Sequence, residues 1–244
     1  MTRAVVNVST GQYMKGQFRL VLALPKHSRH DGVYPFGAPT WDIPKEWPTH
    51  AEKPYAFKAY ALKEAGEAFD VLLWADACIL PVQSLEPLWE RIERDGYWFS
   101  RNGWTNYEWT ADSAYPDLFP AGWFNGIAPV NFDLEFAREE NKRIPHLVAT
   151  AFGLNVRHPK GRAFLDEYYR LASETHAFCG PWTNSPVTPC GPPDVRGHRH
   201  DQTAASVIAW RLGFELTDPP EIFAYGAARD AHDPRTILLA DGSY

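Results

Sequence analysis

Two hydrophobic periods alternate along this chain. Residues 3–8 carry Ala4, Val5, Val6 and Val8 and read as a first strand. Met14, Phe18, Val21, Leu22 and Leu24 then fall at helical spacing and predict a helix stopped by Pro25. A Pro-, His- and aromatic-rich connection over 26–54, with Trp41, Asp42 and Trp47, surrounds a short second strand at 32–36. Residues 55–65 return to the helical period. The run Val71 to Trp74 follows, with one carboxylate at Asp76 before apolar residues resume at Cys78, Ile79 and Leu80. Residues 70–82 therefore read as one interior strand. Ser84 is expected to cap a helix through Arg94 that ends at Asp95-Gly96.

The second half repeats the alternation less regularly. Residues 97–99 read as a strand, and 101–112 as a loop dense in aromatics and amides; the irregular stretch continues through 117–126. A charged, solvated helix is expected over 133–144, and a strand over 146–157. Phe164, Leu165, Tyr168, Leu171 and Ala172 mark an amphipathic helix, and a Pro-rich loop spans 177–197. Ala204, Val207, Ile208 and Leu212 predict a helix opened by Asp201, a good capping residue, and closed by Gly213. Residues 236–242 read as a last strand and turn. Strands alternating with helices predict an α/β domain.

Composition narrows the chemistry. The 244 residues, 45% of them hydrophobic, fit one large domain. A net charge of −6 gives no reason to expect a nonspecific polyanion partner. Ten Trp within 14% aromatics supply ring faces that suit sugars and bases as well as cores. The three cysteines, 78, 179 and 190, show no paired metal spacing, which argues against a disulfide framework and for a reducing compartment. No signal-peptide layout opens the chain, and no apolar run approaches the roughly 20 residues that cross a bilayer. The expectation is a soluble, cytoplasmic protein without a membrane partner.

Helix, apolar strand with a terminal carboxylate, then helix is the order in which open α/β sheets place ligand chemistry. The stretch 70–82 resembles the metal-binding Asp-x-Asp strand of GT-A glycosyltransferases, with a departure. Only Asp76 is present: either Trp74 replaces the first Asp, or Cys78 replaces the second. Asp201-Gln202, preceded by His198-Arg199-His200 and followed by an apolar helix, is similar to the Asp-Gln of retaining enzymes of family 8. The resemblance implies a single GT-A-like (Rossmann-related) domain over 1–244, a mixed central sheet flanked by helices. Residues 1–96 would form the nucleotide-sugar half and 97–244 the acceptor half.

The same resemblance implies the site. Thr10, Gly11 and Tyr13 fall where the donor nucleotide binds, and Lys58 of Pro54-Tyr55-x-x-Lys58 where donor phosphates are met. Asp76 would hold Mn2+ or Mg2+, with His198 or His200 supplying the missing ligand, while Asp201 and Gln202 hold the sugar. His198 and His200 lie two apart, on one face of an extended segment. The implied activity is metal-assisted glycosyl transfer from a nucleotide-diphosphate sugar, UDP-sugar by family frequency, with retention favoured. The acceptor stays open among glycan, protein, small molecule and modified nucleic-acid base, with 97–125 and 177–197 its natural regions. A non-catalytic nucleotide- or glycan-binding protein with a degenerate metal site is the alternative. A metal-dependent hydrolase using His198, His200 and Asp201 is a third reading.

Overall fold

The computed structural model describes residues 1–36, 43–44, 46–121, 131–226 and 233–241. Trp41, Asp42, residues 124–126 and Gly242 lie outside them. In chain order the elements are β1 (Arg3–Val8), α1 (Met14–His27), β2 (Gly32–Phe36), α2 (Ala56–Ala68), β3 (Val71–Ala75), β4 (Ile79–Pro81), α3 (Glu86–Asp95) and β5 (Tyr97–Trp98). Then come β6 (Arg101–Thr105), α4 (Tyr115–Leu118), α5 (Leu134–Asn141), β7 (Pro145–Leu147), β8 (Ala151–Asn155), α6 (Pro159–Glu174), α7 (His200–Arg211), β9 (Ile222–Tyr225) and β10 (Thr236–Ala240).

Among the described residues the central sheet runs β2-β1-β3-β8-β5. β1 pairs in parallel with β2 and β3, whereas β8 is antiparallel to β3 and β5. The expected α/β domain with a mixed sheet flanked by helices is the fold observed. β3 shows why this sheet is stable. Its period-2 side chains divide between two cores: Leu72 and Trp74 pack with Leu62 of α2 and with Phe164 and Tyr168 of α6. Val71, Leu73 and Ala75 pack on the other face with Leu20 and Leu24 of α1 and Leu88, Trp89 and Ile92 of α3. Each large side chain buried this way contributes on the order of 1.5–3 kcal/mol. The strand is therefore held on both faces, and so is whatever stands at its carboxyl end.

Four expectations are corrected. The single strand over 70–82 is two: β3 ends at Ala75, the chain turns through Asp76–Cys78, and β4 pairs with β10 in a separate three-stranded sheet. Pro25 does not stop α1, which runs on to His27. Only two helical residues follow it, and Ser28 N–H still reaches Leu24 O at 2.9 Å, so the missing Pro N–H costs little there. The loop at 101–112 contains β6, paired antiparallel with β7. The strand over 146–157 is also two, β7 and β8, in different sheets. No helix among the described residues is long and apolar enough to cross a membrane.

Candidate active site

Three charged side chains converge at the carboxyl end of β3. Asp76 follows its last residue and is tied by its N–H to Thr150 O at 2.8 Å. Trp74 Nε1 donates to Asp76 Oδ1 at 2.7 Å. Lys58 rises from α2, buried to 2% exposure, and places Nζ 3.1 Å from Asp76 Oδ1 and 2.9 Å from Asp201 Oδ2. Its third partner is Ala149 O at 2.9 Å. The ammonium also lies 4.9 Å from the Tyr55 ring centroid and 5.2 Å from that of Trp74.

Burial works against the Lys58 charge, yet Asp201 and Asp76 outweigh it and hold the ammonium's pKa above the ordinary lysine range. The two carboxyls feel the opposite push. Burial raises both pKa values, with Lys58 pulling them back. Asp201 is 4% exposed, whereas Asp76 keeps 28% of its side chain open to the cleft. Asp76 is thus the carboxylate a ligand meets.

Two hollows meet at this cluster, and Tyr55 and Asp76 line both. The smaller, about 140 Å³, is bounded by Lys58, Thr150, Trp182, Arg199, Asp201 and Gln202. The larger, about 560 Å³, runs along the β1 end past Ser9, Thr10, Tyr13, Trp47, His50 and Phe57 to Cys78. Ser9 Oγ and Asn7 Oδ1 are buried at this end without a partner among the described residues. An open hollow at Met1, Arg3 and Arg29 lies at the amino end of β1, away from the carboxylates.

No family model matches this chain, and no curated protein sequence does. Solved structures do. Its fold is that of known glycosyltransferases. It is similar to the crystal structure of mouse xyloside xylosyltransferase 1 in its apo form, with 9% identity, 99% of this chain and 98% of that one covered, and a TM-score of 0.50. It is also similar to a glycosyltransferase involved in the glycosylation of the major capsid of PBCV-1, with 10% identity, coverage of 100% and 94%, and a TM-score of 0.51. Identities this low carry the fold and nothing finer.

Within that fold the nine residues singled out in the sequence are not all brought together. Asp76, Lys58, Asp201 and Gln202 meet in the smaller hollow, and Thr10 and Tyr13 line the larger. Gly11, at φ +55°, makes the turn between them and lines neither. Asp201 does not cap α7: Arg199 stands at that position, and Asp201 lies in the first turn with its carboxylate toward Lys58. Gln202 spends its amide N–H on Leu147 O at 2.8 Å.

The two histidines are placed differently. His198 is wholly buried; its Nδ1 accepts from Ala111 N–H at 3.2 Å and its Nε2 bonds Ala177 O at 2.9 Å. Neither ring nitrogen is left for a metal. His200, at φ 41°, bonds Gly180 O through Nε2 at 2.9 Å. Burial depresses the two rings to pKa values of about 3 and about 4. Among the described residues no group of three or more His, Cys, Asp or Glu is arranged to hold a metal ion. His200 Nδ1 has no partner among the described residues, but both His198 nitrogens are engaged and the carboxylates of Asp76 and Asp201 are held by Lys58, so the anticipated metal set of Asp76 with His198 or His200 does not fit this arrangement.

Arg199 and Trp182 were not singled out in the sequence. Arg199 stacks its guanidinium over Trp109, 4.1 Å from the ring centroid, and donates to Trp182 O at 3.3 Å. Its signal was its position, two residues before Asp201 at the mouth of a helix. Trp182 had none, because it arrives from a Pro-rich loop without period.

Proposed function

We propose that this cleft transfers a glycosyl group from a nucleotide-diphosphate sugar to an acceptor hydroxyl. The observation that carries the reading is the Asp76–Lys58–Asp201 cluster at the carboxyl end of β3, standing where a sugar-sized hollow opens into a nucleotide-sized one. The larger hollow offers Tyr13, Trp47 and Phe57 as ring surfaces for a base, with the Ser9 hydroxyl at hand. The smaller one offers Asp76 to sugar hydroxyls, with the charge of Asp201 in its wall, and Arg199 to the diphosphate.

The chemistry follows from where charge develops. The bond from the anomeric carbon to the diphosphate oxygen breaks with its electron pair going to the diphosphate. The acceptor oxygen bonds the anomeric carbon, and its proton passes to the departing diphosphate. Positive charge grows on the sugar ring beside two carboxylates, and negative charge grows on the phosphate facing Arg199. The fixed Lys58 orients both carboxylates, so they need no rearrangement as the charge appears. Exposed Trp182 at the rim provides a stacking face for a carbohydrate acceptor.

A panel of uridine, guanosine and cytidine diphosphate sugars tests the reading. One donor should raise the melting temperature and release its nucleoside diphosphate slowly as water replaces the acceptor. A chain that neither binds nor cleaves any donor would refute it.

A further inference from the structure

We infer that this site works without a divalent metal: Lys58 holds the cation position between Asp76 and Asp201, and Arg199 meets the diphosphate. The inference rests on the glycosyl-transfer reading. An ammonium has three N–H donors and no more. Here Nζ donates to Ala149 O at 2.9 Å and to Asp76 Oδ2 at 3.4 Å, and it stands at ion-pair distance from Asp76 Oδ1, 3.1 Å, and Asp201 Oδ2, 2.9 Å, with the ring faces of Tyr55 and Trp74 beside it. The side chain is sealed at 2% exposure. It is therefore a fixed part of the site and not a mobile arm.

The ligand inventory points the same way. A magnesium ion takes about six oxygen ligands in near-octahedral array, several of them water, and is held through one or two free carboxylates together with substrate phosphates. The inward oxygens of both carboxylates are already engaged with Lys58, and Asp76 Oδ1 also accepts from Trp74. In the turn after β3, Cys78 stands two residues beyond Asp76 where a second carboxylate would be expected, and it brings none. A hard, oxygen-seeking ion gains little from a thiol there. A doubly charged ion placed beside the ammonium would also be repelled by it at close range.

Charge balance then assigns Arg199 its task. Two carboxylates and one ammonium leave the cluster one negative charge in excess, an unfavourable neighbour for a diphosphate. Arg199 lines the same hollow and has no carboxylate at ion-pair distance among the described residues. Its stacking on Trp109 fixes the guanidinium plane, whose paired N–H groups suit a phosphate's two oxygens. One permanent cation orients the carboxylates, and a second receives the leaving group.

Calorimetric titration of the whole chain with UDP, GDP and CDP, first in EDTA and then with Mn2+, tests this. The recognised nucleotide should bind with nearly the same affinity in both buffers. Arg199→Gln should weaken that binding roughly tenfold to a hundredfold, as loss of a charged hydrogen bond to phosphate does, with Mn2+ giving no rescue. Lys58→Ala should gain what the parent lacks, a melting temperature that Mn2+ raises, because it opens a gap between two carboxylates. Nucleotide binding that appears only with Mn2+ would overturn the inference while leaving glycosyl transfer in place. Absence of nucleotide binding in either buffer would overturn both.

Discussion

Nζ of Lys58 stands 2.9 Å from Oδ2 of Asp201, joining α2 to the first turn of α7 inside the protein. Among the described residues Lys58 pairs with one other carboxylate, Asp76, and Asp201 has no other cationic partner. Stability and the proposed function therefore rest on one cluster.

Removing the ammonium should be costly. Lys58→Ala leaves the buried Asp201 and the partly buried Asp76 facing each other, and breaking a buried pair this way costs about 3–5 kcal/mol. The Lys63–Asp166 pair is 30% and 50% exposed, and Lys63→Ala should cost under about 1 kcal/mol. Urea denaturation of both variants reads the contrast; equal losses would mean the buried cluster is not a structural tie.

Gly16 of α1 lies against the turn that carries Asp76. A Cβ there would sit 2.2 Å from Ala77 O, so Gly16→Ala should cost about 1–3 kcal/mol through displaced backbone. Gly66, inside α2, is the control: its Cβ would meet Leu165 at an ordinary 3.5 Å, and Gly66→Ala should gain about 0.4–1 kcal/mol. Thermal melts of the two variants should move in opposite directions.

The pattern of apolar positions located β1, β2, β3, α2, α6 and α7, because each carries a clean run or period. It also marked Asp76 as a carboxylate at the end of an apolar strand, whereas Lys58 was pointed to by the family resemblance alone. What it missed is long-range. α2 buries Ala56, Ala59, Ala61, Leu62 and Ala65 around much of its circumference, and Lys58 is buried with them while Lys63 of the same helix stays 30% exposed, a difference set by Asp76 and Asp201 packing against Lys58 from distant parts of the chain. β6 escaped notice because Arg101-Asn-Gly-Trp-Thr105 lies largely exposed and has no apolar alternation. His198 looked like a metal ligand because nothing local reveals that the backbone of Ala111 and Ala177 closes on its ring.

Acid should weaken the fold before most carboxylates titrate. Burial holds His198 and His146 at pKa values of about 3, and His200 at about 4, against an ordinary 6.5. A depressed histidine pKa means that the unfolded chain takes up protons first. Their effect is absent above pH 6.5, and stability falls as pH drops from 6.5 toward 4. The raised pKa values of Asp76 and Asp201 act in the opposite sense, because the folded state takes up those protons more readily. The direct check is NMR: the three ring signals should keep their neutral shifts down to pH 5, and a midpoint near 6.5 for any of them would contradict its burial.

The most direct test of glycosyl transfer at this cluster is the rate of nucleoside diphosphate release from the recognised donor, compared between the parent and Asp201→Asn. Asparagine is nearly isosteric but lacks the charge that steadies the sugar as its bond breaks. Release should fall by about a hundredfold or more, with circular dichroism showing the variant still folded. Parent-like release from a folded Asp201→Asn would contradict the account.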